Sequence, residues 1–247
     1  MIPNMPDDTF EADVRHNIRS LAARQDLRDL SLNWIREVSR HKYSYNFTWL
    51  GRPIMQFPQD IIAVQELIWR IRPDLIIETG IAHGGSLILS ASIQALAQID
   101  GEVVGIDIDI RAHNRLAIEQ HPLSNRIRLI EGPSVEPRVF DSVRDVARRH
   151  TTVMVLLDSN HTHDHVSKEL QLYSPLVTRG SYLIVFDTII EFLPVDFFSN
   201  RPWSVGNNPN TAVSYFLQST DRFEADTDIE AKLLITTARG GYLKCVK

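Results

Sequence analysis

The sequence holds one cysteine, Cys245, in 247 residues. No intramolecular disulfide can form, which suits a reducing compartment. No apolar run approaches the roughly 18 residues of a membrane span, and the first 30 residues lack the apolar stretch of a secretory signal. The expected location is therefore cytoplasmic. Positive charge is also scarce: 26 Lys and Arg stand against 31 Asp and Glu, a net charge of −5. Arg is scattered through the chain, and the basic stripe of a nucleic-acid binder is missing. Internal repeats and low-complexity tracts are missing too. What is present is an ordinary globular composition, 43% hydrophobic and 23% charged, enough for one large domain with a modest N-terminal extension.

The pattern divides at about residue 58. Residues 1–8, with Pro3, Pro6 and paired aspartates, read as disordered. From Phe10 to Arg40, apolar residues at helical spacing (Ile18, Leu21, Leu27, Leu30, Trp34, Val38) predict one or two amphipathic helices. Residues 41–58 are dense in aromatics and broken by Gly51, Pro53 and Pro58, which predicts an ordered loop or short hairpin. A helix follows over 60–71. Strands are then expected at 74–78, 102–107, 126–131, 152–158 and 181–187, alternating with helices at 86–98, 140–149 and 164–176. Such alternation indicates βαβ units and a mostly parallel, Rossmann-like sheet with helices on both faces. After a Pro- and Asn-rich loop come a helix at 211–219 and two further strands, at 232–237 and 242–246. The division expected is 1–58 as a helical and aromatic cap and 59–247 as the main domain.

Four of the central strands end in an acid: Glu78, Asp107, Asp158 and Asp187. Open parallel sheets bind ligands at the carboxyl ends of their strands, so these acids are placed to meet one. A single such Asp is as well explained as a helix cap; four make the stronger case. The first turn reads E-T-G-I-A-H-G-G-S, Glu78 to Ser86. Gly80 permits a tight turn, and Gly84 and Gly85 let a ligand approach the backbone where Ser86 opens a helix. The turn lacks the G-x-G-x-x-G of dinucleotide binders, which weighs against an NAD-linked oxidoreductase. It resembles motif I of class I S-adenosylmethionine-dependent methyltransferases, E/D-x-G-x-x-x-G. In that reading Asp107 accepts from both ribose hydroxyls. His83 and Asp109 join the cofactor set, and Ser134, in the turn after the third strand, lies where the adenine binds.

Leu156 to His165 reads L-L-D-S-N-H-T-H-D-H. Three histidines, His161, His163 and His165, follow a strand-end carboxylate, a pattern suited to a metal or a general base. The competing reading puts His163 and His165 in solvent on a first helical turn. None of the nine histidines begins the H-x-D or H-x-E of a non-haem iron hydroxylase. Asp158 and Asp187 together could hold Mg²⁺ against substrate oxygens, with His161 as the base.

Taken together, these stretches are similar to the cephalosporin hydroxylase or rhamnosyl O-methyltransferase family. The resemblance runs from about Tyr43 to Val246. It is carried by Trp49–Asp60, Ile76–Leu87, Val103–Arg115, the D-S-N-H-T-H-D-H segment and the strand ending at Asp187. It implies a class I methyltransferase fold with a mostly parallel seven-stranded sheet. It implies S-adenosylmethionine bound at Glu78, Gly80, Gly84, Ser86, Asp107 and the Asp158 region, and Mg²⁺ at Asp158 and Asp187. It implies transfer to a hydroxyl of a small, sugar-like acceptor, and a homo-oligomer. Relatives carry Glu-Asp at the end of the later strand where this chain has Phe186-Asp187. Either His161 or Glu191 takes the missing ligand's place, or the site uses no metal. Asp158 and His161 are the expected proton-handling residues. Tyr45, Trp49, His163, Trp203 and Asn208 are expected toward the acceptor. A non-catalytic binder that kept the fold is the alternative from another class.

Overall fold

Leu75–Thr79 and Val153–Leu157 are buried along their whole lengths, and runs of β-branched and aliphatic residues closed in on both faces are what a central parallel strand requires. The computed structural model describes residues 8–247, so the expectation of disorder over 1–7 lies outside the described residues. In chain order the elements begin with two amphipathic helices, α1 (Asp8–Ala22) and α2 (Gln25–Ser39), and a hairpin of β1 (Phe47–Trp49) and β2 (Arg52–Ile54). Then follow α3 (Pro58–Ile71), β3 (Leu75–Thr79), α4 (Gly85–Leu96), β4 (Glu102–Asp107), α5 (Ala112–Glu119), β5 (Ile127–Glu131), α6 (Pro137–Ala147), β6 (Val153–Leu157), α7 (His163–Tyr173) and β7 (Tyr182–Val185). The chain closes with α8 (Pro209–Ser219), β8 (Phe223–Ala225), α9 (Thr227–Leu233) and β9 (Tyr242–Cys245).

The seven-stranded sheet has the order β5-β4-β3-β6-β7-β9-β8. β5 through β7 are parallel, and β9 and β8 run antiparallel at the far edge. Alternate residues of each strand serve opposite layers, as the period of two demands. Ile76, Val103, Met154, Leu156, Tyr182 and Ile184 pack with α3 and α4. Leu75, Ile77, Val104, Val153, Val155 and Leu183 pack with α6, α7 and α8. A smaller apolar cluster of Ile35, Phe57, Ile189 and Leu193 joins α2 to the loop after β7.

From β3 the chain winds outward through β4 and β5, then returns to the other side of β3 as β6. The order therefore reverses between β3 and β6, which is where an open α/β sheet offers its ligand crevice.

One expected strand is corrected. Residues 232–237 do not join the sheet. Asp226 accepts from the Ile229 amide and caps α9, whose first turn carries Asp228 and Glu230 and whose last carries Lys232, a charge order that favours a helix. Leu234 then turns at φ 58°, and the edge position falls to Phe223–Ala225. The hairpin and the two N-terminal helices were expected; α5 was not, because its sequence AHNRLAIE carries too few apolar residues to show a period.

Candidate active site

Each acid at the sheet's carboxyl end is held differently. Glu78 is buried at 2% exposure and accepts from the Ser86 hydroxyl at the start of α4, while its second oxygen has no partner. Burial, with a smaller contribution from the charge of Asp107, pushes its pKa up to about 7. A group with a raised folded-state pKa contributes stability that is complete below the unfolded value, near 4.5, and is lost as pH rises through 7. The loss is roughly 3 kcal/mol at about 1.4 kcal/mol per pKa unit. Glu78→Gln keeps the Ser86 contact and cannot ionise. In urea melts at pH 5 and pH 8 its stability should therefore fall less than the wild type's by about that amount. Parallel pH profiles would show that Glu78 is not the buried acid described.

Asp107 lines the main cleft and already accepts three backbone N–H groups. Oδ2 takes Ile81 and Ala82 at 3.0 and 3.3 Å, and Oδ1 takes Asp109 at 3.3 Å. A carboxylate has about four acceptor positions, so capacity for a hydroxyl donor remains. The glycine turn between them is braced from outside. Arg52 of the hairpin donates to the His83 carbonyl at 3.0 and 2.7 Å and to Asn114 of α5 at 3.0 Å, and Asn114 donates to the Ala82 carbonyl at 3.0 Å. A Cβ on Gly85 would lie 2.2 Å from the Pro53 carbonyl oxygen, so the hairpin and the turn approach as closely as glycine allows.

At the switch point, Asp158, His161 and Asp187 each offer a ligand atom, and these atoms lie within 4.8 Å of one another. His161 Nε2 is 3.2 Å from Asp187 Oδ2, and the Trp203 indole meets the imidazole edge-on at 4.7 Å between centroids. Asp187 reaches this point because it leaves the strand in a left-handed conformation, φ 55°, that costs an ordinary residue about 1–2 kcal/mol. Burial first, then the charge of Asp187 and more weakly of Glu78, Asp60 and Glu169, holds the Asp158 carboxyl well above the usual carboxylate range. Two facing acids and an imidazole form an oxygen-and-nitrogen donor set that a divalent cation would relieve of its repulsion. Of the two residues offered for the place of the family's Glu, His161 is in reach. Glu191 is committed elsewhere, accepting from Gly206 N at 2.9 Å and from the Asn208 amide at 2.5 Å.

The remaining expected residues separate. Tyr45 lines the cleft and is exposed, and Trp203 stands against His161. Trp49 instead packs over α4 and donates to Ser92 at 2.9 Å. His163 starts α7 and pairs with Thr211 at 2.8 Å, and Asn208 is fully buried as the cap of α8. These three side chains are not on the cleft wall. Ser134 points inward: its hydroxyl donates to Glu169 at 2.5 Å, and its carbonyl accepts from Tyr173. Glu169, buried on α7, also accepts from Ser159 at 2.8 Å and lies 3.4 Å from His165 Nε2. It thus ties the loop after β5 to the loop after β6. Sequence reading missed Glu169, Arg52 and Asn114. The only sequence signal for Glu169 was a lone acid among apolar positions of a helix.

These features frame a cleft of about 880 Å³ over the switch point, between the sheet ends and the segments 35–57 and 193–201. Sheet order, glycine turn and strand-end acids define a class I S-adenosylmethionine-dependent methyltransferase. The chain belongs to the family described as Rhamnosyl O-methyltransferase/CmcI, whose model matches residues 41–246. It is similar to a rhamnosyl O-methyltransferase of Mycobacterium leprae (strain TN), 29% identical over 211 residues that cover 82% of this chain and 87% of that one. The corresponding protein of Mycobacterium bovis BCG is 26% identical, covering 82% of each. Among solved structures, CmcI with Mg and S-adenosylmethionine superposes with a TM-score of 0.59 at 20% identity, covering 82% of this chain and 78% of that one. A Bacillus cereus O-methyltransferase in complex with S-adenosylhomocysteine gives 0.50 at 16% identity, covering 86% and 88%.

Proposed function

We propose that the protein transfers the methyl group of S-adenosylmethionine to a hydroxyl of a small, sugar-like acceptor, with Mg²⁺ held by Asp158 and Asp187 and with His161 beside them as the base. The observation that carries this reading is the convergence of those three side chains beside the glycine turn at the switch point. The names of the mycobacterial relatives support a sugar acceptor.

Gly80, Gly84 and Ser86 form the turn along which the cofactor lies, and the free acceptor capacity of Asp107 takes ribose hydroxyls. When bound, the cofactor supplies an electrophilic methyl group, and Mg²⁺ lowers the pKa of an acceptor hydroxyl. His161 Nε2 lies 3.2 Å from Asp187 Oδ2, and with both acids on the cation it would be left free to take the hydroxyl proton. Trp203 fixes the imidazole from its flank. Of the expected 1–58 cap, the described residues from 8 onward include Ile35, Tyr45, Met55 and Phe57, which line the cleft beside the domain formed by 59–247. Among the described residues no helix is long and apolar enough to cross a membrane. A cytoplasmic homo-oligomer fits this, and the exposed Ile62 and Trp69 on α3 offer it an apolar contact.

The test is transfer of labelled methyl from S-adenosylmethionine to a panel of free and glycosidic sugars, with Mg²⁺ or with a chelator. Transfer is expected with Mg²⁺, and His161→Ala should lower kcat by about 10²–10⁴-fold. Transfer unaffected by both the chelator and His161→Ala would overturn the assignment. Mg²⁺ should also raise the melting temperature, more at pH 8 than at pH 6. Asp158 is held protonated into the higher range, and a ligand carboxyl must lose its proton to bind. Equal shifts at both pH values, or a shift retained by Asp187→Asn, would contradict the ligand set.

A further inference from the structure

The cleft changes sign from floor to mouth. Its floor carries Asp107, Asp158 and Asp187; its mouth carries Arg40 and Lys42 on one side and Arg201 on the other. Two of the floor acids have partners at the floor itself, Asp107 in three backbone amides and Asp187 in His161. Asp196 is the one acid left among the residues lining the outer wall. Among the described residues none of the three cations stands in an ion pair. Arg201 lies over the Trp203 ring at 5.3 Å, which fixes its position without neutralising it.

A second observation concerns the backbone. Lys42 sits in the left-handed region, φ 51° and ψ 43°, between the end of α2 and the turn at Tyr43–Asn46. A lysine there is strained in a way that glycine would not be. Strain of this kind gathers where a side chain must be aimed. Aromatic side chains, Tyr45, Phe197 and Phe198, also line the cleft. Unpaired cations grouped at the mouth of a cleft raise the local concentration of anions and hold them.

We propose that the acceptor carries an anionic group, a carboxylate or a phosphate, held by Arg40, Lys42 and Arg201 while its hydroxyl lies at the acidic floor. This rests on the methyltransferase reading above and adds the charge class of the substrate. An anion at the mouth could also belong to the cofactor, as the carboxylate of its methionine portion, and the test separates the two sources.

Protein saturated with S-adenosylhomocysteine is titrated with paired probes: p-nitrophenyl glucuronide against p-nitrophenyl glucoside, and glucose 1-phosphate against methyl glucoside. The first member of each pair is anionic and the second neutral. At low salt at least one anionic probe should bind about tenfold more tightly than its neutral partner, the size expected of three partly exposed pairs. The preference should shrink at 0.5 M salt. Lys42→Gln and Arg40→Gln should abolish it and leave the affinity for S-adenosylhomocysteine unchanged. Equal binding within both pairs, or no binding by either anionic probe, would overturn the proposal. So would variants that weaken S-adenosylhomocysteine and keep the preference, because the cations would then serve the cofactor. Failure of the unmodified protein to bind S-adenosylhomocysteine at all would defeat the underlying methyltransferase reading and is seen before any probe is added.

Discussion

Asp158→Asn should lower kcat by at least about 10³-fold and, in Mg²⁺-free buffer at pH 8, raise the melting temperature. The two effects have one origin. In the native protein this carboxyl is set where burial and four neighbouring acids oppose its ionisation. At pH 8 the fold must hold either that charge or a proton the unfolded chain releases, and a neutral amide of the same shape removes the burden. The same charge is what a divalent cation needs, and loss of a ligand with its share of hydroxyl activation spans several kcal/mol of barrier. Stability given up at a functional group is the usual trade at such sites. A variant within tenfold of wild-type activity, or one less stable than wild type at pH 8, would mean that Asp158 serves the fold and not the reaction.

Gly80→Ala should destabilise the protein by about 2–5 kcal/mol and remove cofactor binding. Gly80 has φ +81°, which costs an alanine about 1–2 kcal/mol. A Cβ there would also lie 2.1 Å from the carbonyl oxygen of Asp158 and 2.6 Å from Cα of Ser159, both backbone atoms of the neighbouring strand end. Backbone cannot rotate aside, so the chain must shift, with an overpacking cost of about 1–3 kcal/mol. The shift falls on the loop that carries Asp158. Gly180→Ala is the control. Its φ is +85°, and nothing lies within 4 Å of the added methyl. It should lose only the conformational part, measured by urea melts of both variants. Equal losses would show that the contact between the two strand ends is not tight.

The sheet was legible because its central strands are buried on both faces, leaving unbroken apolar runs that end in an acid. β4 begins and ends where the pattern ends, at Glu102 and Asp107. The acids Asp158 and Asp187 and the imidazole of His161 could be chosen for the same reason, since a parallel sheet fixes where strand ends point. The other residues depended on packing that the sequence does not encode locally. Trp49, His163 and Asn208 sit beside the right segments but turn toward α4, Thr211 and the first turn of α8. The run Lys232–Thr237 has strand-like composition, but a capping aspartate six residues upstream commits its first part to a helix. Glu169 ties the two loops through residues that are 35 and 10 positions away. The left-handed turn at Lys42 gives no sequence signal, because lysine is not among the residues that favour it.

The most direct test is calorimetric titration of the unmodified protein and Asp107→Ala with S-adenosylmethionine and S-adenosylhomocysteine, with NADH as the control. Micromolar binding of both sulfur compounds, none of NADH, and at least about tenfold weaker binding by the variant is the predicted result, the loss matching hydrogen bonds to a charged acceptor. Binding of NADH in place of the sulfur compounds, or no binding by any of the three, would contradict the account.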